Sequence, residues 1–181
     1  MCGIVGYTGT APVRDILLEG LRKLEYRGYD SAGIAVETND KISIVRRVGK
    51  VEELANAVED WDITSTCGIG HTRWATHGRP TEQNAHPHSD CSGKIAVVHN
   101  GIIENFVQLR DVLESEGHVF KSETDTEIVA HLVEKYYEGD LIDALARTTE
   151  ALQGAYGLAV MHADHPGEIA VTRKDSPKIG R

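Results

Sequence analysis

MCGIVGY, residues 1–7, sets a cysteine directly behind the initiator methionine and runs it into a short apolar stretch punctuated by glycine. Gly3 to Tyr7 reads as a strand, so Cys2 sits at the mouth of a sheet. A cysteine there can be an ordinary small hydrophobe. It can also be a nucleophile, because aminopeptidases remove Met1 when the next side chain is small. The mature Cys2 would then carry its own α-amine. An α-amine titrates near 7.7–8.0 and a thiol near 8.5, so one residue would supply both nucleophile and base.

Outward from that strand, Pro12 opens a helix on Val13, Ile16, Leu17, Leu21 and Leu24, whose spacing is helical. Two alternating runs, Ile34 to Thr38 and Ile42 to Val48, flank Asn39-Asp40 and read as a hairpin. Val51 to Val58 suits a short helix and Cys67 to Thr72 a strand. Arg73 to Ser92 has no period and is crowded with Gly, Pro, His and Asn, which marks a long irregular loop of the kind that carries function. Lys94 to His99 is a buried strand. Asn105 with Gln108, and Thr124 with Glu127, have the spacing of capping pairs. They open helices on Leu109, Val112 and Leu113, and on Ile128, Val129, Leu132, Val133 and Tyr136. A further helix over Leu141 to Leu152 precedes strands Tyr156 to His162 and Glu168 to Arg173. Strands at both ends with helices between them point to an α+β layered fold.

Composition narrows the function. The 181 residues suit one domain, and 28 acidic against 19 basic residues leave a net charge of -9. No positive footprint serves nucleic acid or an anionic membrane. No run approaches membrane length and no signal peptide opens the chain, which points to the cytoplasm. Cys2, Cys67 and Cys91 contain no CxxC, and their odd number argues against a disulfide framework.

Four segments offer chemistry, and each has a plainer reading. In HTRWATHGRPTEQNAHPH, 71–88, Arg73 could fork onto a carboxylate with Trp74, Thr76 and His77 covering it, or be a surface arginine. In HNGIIEN, 99–105, the Asn100 amide and the Gly101 N–H could converge on an oxyanion, or form a tight turn. In SETDTE, 122–127, Asp125 could meet a cationic amine, or favour a helix N-terminus. Arg27 and Asp30, in YRGYDSAG, suit an internal salt bridge. His86, His88, Cys91 and His99 lie close in sequence and form a metal-binding alternative, although their spacing matches no zinc module.

Taken together, CGIVGY, LRKLEYRGYDSAG, GIGHTRWATHGRPTEQNAHPH, VVHNGIIEN, SETDTE and LQGAYG resemble the glutaminase domain of class II glutamine amidotransferases, in the subgroup of glutamine–fructose-6-phosphate aminotransferases. HTRWATHG followed by NAHPH separates that subgroup from the other amidotransferases opening on CGIVG. The resemblance covers essentially the whole chain. It implies a four-layer αββα sandwich of the N-terminal nucleophile hydrolase type, with mainly antiparallel sheets, over a single domain, 1–181. It further implies that Cys2 attacks the glutamine side-chain amide, that Asn100 and Gly101 form the oxyanion hole, that Arg73 binds the α-carboxylate and Asp125 the α-amine of L-glutamine, and that Trp74, Thr76 and His77 complete a covering loop. Arg27 would support the nucleophile region. No cofactor or metal is implied.

In that subgroup the full-length, homo-oligomeric enzyme continues into a sugar isomerase half that receives the ammonia and makes glucosamine 6-phosphate. This chain ends about where the linker to that half is expected, so alone it would hydrolyse glutamine to glutamate and ammonia. An attached Met1 would block the amine. A Met1-bearing, catalytically silent glutamine-binding module, the glutaminase domain of a related amidotransferase and a metal-binding interaction domain are the competing expectations.

Overall fold

The computed structural model describes residues 2–61, 64–74 and 79–175. Strand β1 (Gly3–Thr8) pairs antiparallel with β4 (Cys67–Arg73), which pairs with β2 (Ser31–Thr38), and β2 with β3 (Lys41–Val48), giving the order β1-β4-β2-β3. A second sheet has the order β5-β6-β7-β8, from His88–Ser89, Ile95–Gly101, Tyr156–His162 and Ala170–Lys174. Every strand pair in both sheets is antiparallel.

Three apolar layers hold four layers of structure together. Helix α1 (Val13–Leu24) buries Val13, Leu17, Leu18 and Leu21, and with Val51 and Leu54 of α2 (Val51–Ala57) it covers the outer face of the first sheet. Gly68 and Gly70 of β4 make this contact close, since a Cβ there would meet Leu17 or Leu21 side chains at 3.0–3.1 Å. Between the sheets lie Ala35, Cys67, Ile69, Ala96, Val98, Ala159 and Met161. Helices α3 (Phe106–Ser115), α4 (Glu127–Tyr136) and α5 (Leu141–Ala151) cover the far face of the second sheet, packing Ile128, Leu132 and Leu145 on Ile95, Val97 and Val160. The expected αββα sandwich is therefore present. Strand alternation explains it: Ile4 points between the sheets while Val5 meets the α1 layer.

The hairpin turn is as expected, with Asn39 and Asp40 both at positive φ (46° and 61°), the conformation that a two-residue turn with the right strand twist needs. β2 begins three residues earlier than its apolar run, because Ser31-Ala32-Gly33 also pairs with β3 and β4 while burying little side chain.

Two expected caps are different. Thr124 is not an N-cap: its hydroxyl meets Ser122 Oγ and His88 Nε2 (both 3.0 Å), and Glu127 accepts from Lys121 N (2.8 Å) and Ser122 N (2.6 Å). Thr126 holds the cap position. Asn105 does hold the cap position of α3, but its amide bridges to Ala151 O and Gln153 N instead of capping. Both side chains follow tertiary partners that local spacing does not reveal. A side-chain cap is made by Asp140, which accepts from Asp143 N at 2.9 Å on α5. No helix among the described residues is long and apolar enough to cross a membrane.

Ile69 is fully buried between the sheets. Ile69→Ala is expected to lower unfolding free energy by about 2–4 kcal/mol, measured by urea denaturation. A change below about 0.5 kcal/mol, the size of an ordinary surface substitution, would contradict this layer assignment.

Candidate functional site

Both inner strand faces turn from apolar to polar at the same end of the sandwich. Along β4 the inward positions run Cys67, Ile69, His71, Arg73, and along β6 they run Ala96, Val98, Asn100. Cys2 precedes β1, whose Ile4 pairs with His71 and Gly3 with Thr72. The register thus delivers Cys2, His71, Arg73 and Asn100 to one place.

Direct contacts close the group. Trp74 N donates to Cys2 Sγ at 3.2 Å. Asn100 Nδ2 donates to the Cys2 carbonyl at 3.2 Å. His71 Nε2 lies 3.0 Å from His99 O and 2.9 Å from Asn100 Oδ1. A backbone carbonyl can only accept, so His71 carries its proton on Nε2 and donates to both oxygens. With Oδ1 held by His71, the amide turns its Nδ2 toward Cys2. Asn100 is therefore a donor aimed at the Cys2 end of β1.

Gly101 continues β6 at φ +132°, and a Cβ there would fall 2.1 Å from Ala155 O. Only glycine fits this backbone, against β7 and beside Asn100. Asp125, in the α3–α4 connection, accepts from Ile103 N at 2.9 Å through Oδ2. Arg73 is 5% exposed. Burial pulls its guanidinium down from the ordinary value, while the thiolate form of Cys2, Asp125 and Asp30 oppose that shift. The cation and Asp125 are thus within electrostatic reach of each other and of Cys2. Arg27 lies in the 3-10 turn Glu25–Arg27, followed by Gly28, where a Cβ would meet the Arg73–Trp74 backbone at 2.9 Å. The Trp74 ring is half exposed and stands edge-on to Tyr29 at 5.6 Å. Thr76 and His77 lie outside the described residues. A separate cleft of about 300 Å³ under Arg46 and Arg47 contains none of this group.

Beneath the site lies a buried histidine layer to which the sequence reading gave no structural part. His71 stacks on His86 at 4.1 Å, and His86 stands edge-on to His88 at 4.9 Å. His86 Nδ1 accepts from His99 N at 3.3 Å, and Thr126 Oγ1 bridges His99 Nδ1 (2.8 Å) and His86 Nε2 (3.4 Å). The alternative metal group of His86, His88, Cys91 and His99 does not assemble among the described residues. Its histidines are spent on this layer, whereas Cys91 lies with His118, His131 and Glu134. Alternation along β4 and β6, with His71 two residues before Arg73 and Asn100 two after Val98, was the signal that places His71 and Asn100 on facing surfaces.

Burial keeps these rings neutral: it pushes His71 down to about 4, His88 to about 3, and His86 well below its ordinary value.

Comparison with known proteins places the chain in a family. A family model described as "Glutamine amidotransferase domain" matches residues 71–176. The chain is 55% identical over 179 residues to the glutamine–fructose-6-phosphate aminotransferase [isomerizing] of Thermus thermophilus, covering 99% of this chain and 30% of that protein. It is 52% identical over 181 residues to the protein of the same name from Pyrococcus horikoshii, with the same coverages. The chain thus spans about 30% of the length of these relatives. Among solved structures, glutamine phosphoribosylpyrophosphate amidotransferase of B. subtilis superposes with a TM-score of 0.73 at 30% identity, covering 90% of this chain and 35% of that one. A glutamine aminotransferase class-II domain protein from Silicibacter pomeroyi shares the fold, with a TM-score of 0.63 at 18% identity over 99% of this chain and 79% of that one.

The neutral layer makes stability acid-sensitive. An unfolded histidine binds a proton below about 6.5, but folded His71 does so only near 4. The unfolded state therefore gains protons first, and stability present above pH 6.5 is lost as pH falls toward 4. His71 alone should cost ~2 kcal/mol between pH 7 and pH 5. Urea unfolding at the two pH values checks this, and equal stabilities would contradict a neutral buried layer.

Proposed function

The chain belongs to the glutamine amidotransferase domain family, and from that premise we propose that residues 1–181 form one glutaminase domain in which Cys2, freed of Met1, hydrolyses L-glutamine to glutamate and ammonia. The observation that carries the reading is the Asn100 amide, whose oxygen is held by His71 and whose Nδ2 faces Cys2.

The reaction follows from the groups present. The Cys2 α-amine takes the thiol proton and Sγ bonds to the side-chain amide carbon, leaving a tetrahedral oxyanion. Asn100 Nδ2 and the Gly101 N–H are the donors for that oxygen, and each such donor is worth a few kcal/mol of barrier. The Trp74 N–H steadies Sγ as its charge develops. Collapse with proton return from the amine expels ammonia and leaves a γ-glutamyl thioester. Water, activated by the same amine, then releases glutamate and regenerates the thiol.

Recognition uses the opposite charges beside the nucleophile. The Arg73 guanidinium suits the α-carboxylate of glutamine and Asp125 its α-ammonium, with Trp74, Thr76 and His77 covering them. A simple amide lacks both charged groups that Arg73 and Asp125 would bind, so it should be a poor substrate. Arg27 braces the turn that abuts the Arg73–Trp74 backbone. The free cysteines suit a reducing cytoplasm. The names of the relatives and their greater length support a larger enzyme with a further, sugar-isomerising half that would pass this ammonia to fructose 6-phosphate; its assembly as a homo-oligomer rests on the family resemblance alone.

Cys2→Ala is expected to abolish glutamate production while the protein stays folded by circular dichroism. Asn100→Ala should lower kcat by about 10²–10³-fold with a smaller change in KM, and a preparation whose mapped N-terminus retains Met1 should be inactive. Ammonia release near the unmodified rate in Cys2→Ala would overturn the assignment.

A further inference from the structure

Four donor atoms from three separate segments converge beside α4, on the helical side of the second sheet. Cys91 comes from the β5–β6 connection, His118 from the α3–α4 connection, and His131 and Glu134 from α4 itself, at i and i+3 on one helix face. Cys91 Sγ lies 3.9 Å from His118 Nδ1 and 3.6 Å from His131 Nδ1. The two Nδ1 atoms are 3.2 Å apart, and Glu134 Oε2 lies 3.0 Å from the first and 3.4 Å from the second. All four atoms lie within 4.8 Å of one another.

These separations are close to the edges of a tetrahedron around zinc. Bonds of about 2.0–2.1 Å to N or O and 2.3 Å to S give N–N and N–O edges of roughly 3.3 Å and N–S edges of roughly 3.6 Å. We infer that Cys91, His118, His131 and Glu134 form a structural zinc site, distinct from the Cys2 centre, that staples the two connections to α4.

The surroundings support a built site. His131 is fully buried, and its Nε2, without a hydrogen-bond partner among the described residues, faces Glu127 Oε1 at 3.7 Å. If a neutral His131 carries its proton on Nε2, toward Glu127, its Nδ1 lone pair faces Glu134 and the other donors. If it carries the proton on Nδ1, a lone pair faces Glu127. A cation bonded to Nδ1 removes the conflict and leaves Nε2–H directed at a carboxylate, the usual support for a metal-bound imidazole.

Cys91 is prepared in a similar way. Val119 N donates to its sulfur at 3.4 Å, and Cys91 N donates to Glu134 Oε2 at 3.3 Å. Buried Asp90 fixes the turn on either side by accepting from Ser92 N (3.1 Å) and Ile95 N (2.8 Å). A sulfur, two imidazoles and one carboxylate favour zinc over magnesium or calcium. Four protein ligands leave no open position, which marks a structural role. The α3–α4 connection held by His118 is also the one that carries Asp125.

Zinc content after dialysis tests this, together with cobalt(II) as an optical probe on the full chain. The unmodified protein and Cys2→Ala should each retain about one zinc. Cys91→Ser and His118→Ala should lose it, and Glu134→Gln, a milder change on an existing helix, should bind it more weakly. Cobalt(II) should give tetrahedral d–d bands and a sulfur-to-cobalt absorption that disappears in Cys91→Ser. Zinc at about a hundredfold over Kd should raise Tm by about 5–10 °C. Failure of the unmodified protein to hold zinc, with no shift of Tm on adding it, would overturn the site. Undiminished zinc in both Cys91→Ser and His118→Ala would overturn the ligand assignment.

Discussion

The hydrogen bond from His71 Nε2 to Asn100 Oδ1 joins the two sheets at the point where their shared apolar face ends. It can form only because β4 and β6 present inward residues in step, and because burial leaves the imidazole neutral with its proton on Nε2. From that bond follow the direction of the Asn100 amide, its approach to Cys2 and the polar character of that end of the sandwich. Without it, a partly buried amide oxygen would lose its protein partner and the amide its fixed direction. The histidine layer below is the second half of the same constraint, since His86, His99 and Thr126 hold the end of β6 to the start of α4.

Much of this was legible in the order of residues. The period-2 runs and the helical spacings placed the strands, and helices on both sides of them, because each element buries one face. Cys2, Asn100, Gly101 and Arg73 each have a plainer local reading in the sequence, and only the resemblance of the motifs taken together groups them; the structure brings Cys2, Arg73 and Asn100 to one end of the sandwich. The parts that misled were those decided by distant partners. Glu127 has capping spacing with Thr124, but it is drawn instead to the backbone of Lys121 and Ser122. Cys91 stands near His86, His88 and His99 in sequence, yet the turn at Asp90 carries it to α4, where it meets His118 and His131. Sequence distance cannot separate those two outcomes.

The same sandwich serves two purposes by division of its layers. The face between the sheets is filled with small and medium apolar side chains, so the strands lie close enough for single side chains to span between them. The outer helical layers carry the larger residues and most of the burial. Polar chemistry is thereby confined to the strand ends and to the connections that cross them, which is where loops can vary without unseating the core. Glu25, whose carboxylate accepts from Val51 N at 2.6 Å, ties the segment before Arg27 to the start of α2.

The central claim is that the sulfur at the mouth of β1 is the nucleophile of a glutamine-shaped site. The most direct test is intact mass and peptide mapping after exposure of the Met1-free protein to an electrophilic glutamine analogue. One covalent adduct on Cys2, suppressed by excess glutamate and absent from Cys67 and Cys91, is the predicted result. An unmodified Cys2 in the folded, Met1-free protein, or an adduct carried by Cys91 alone, would contradict it.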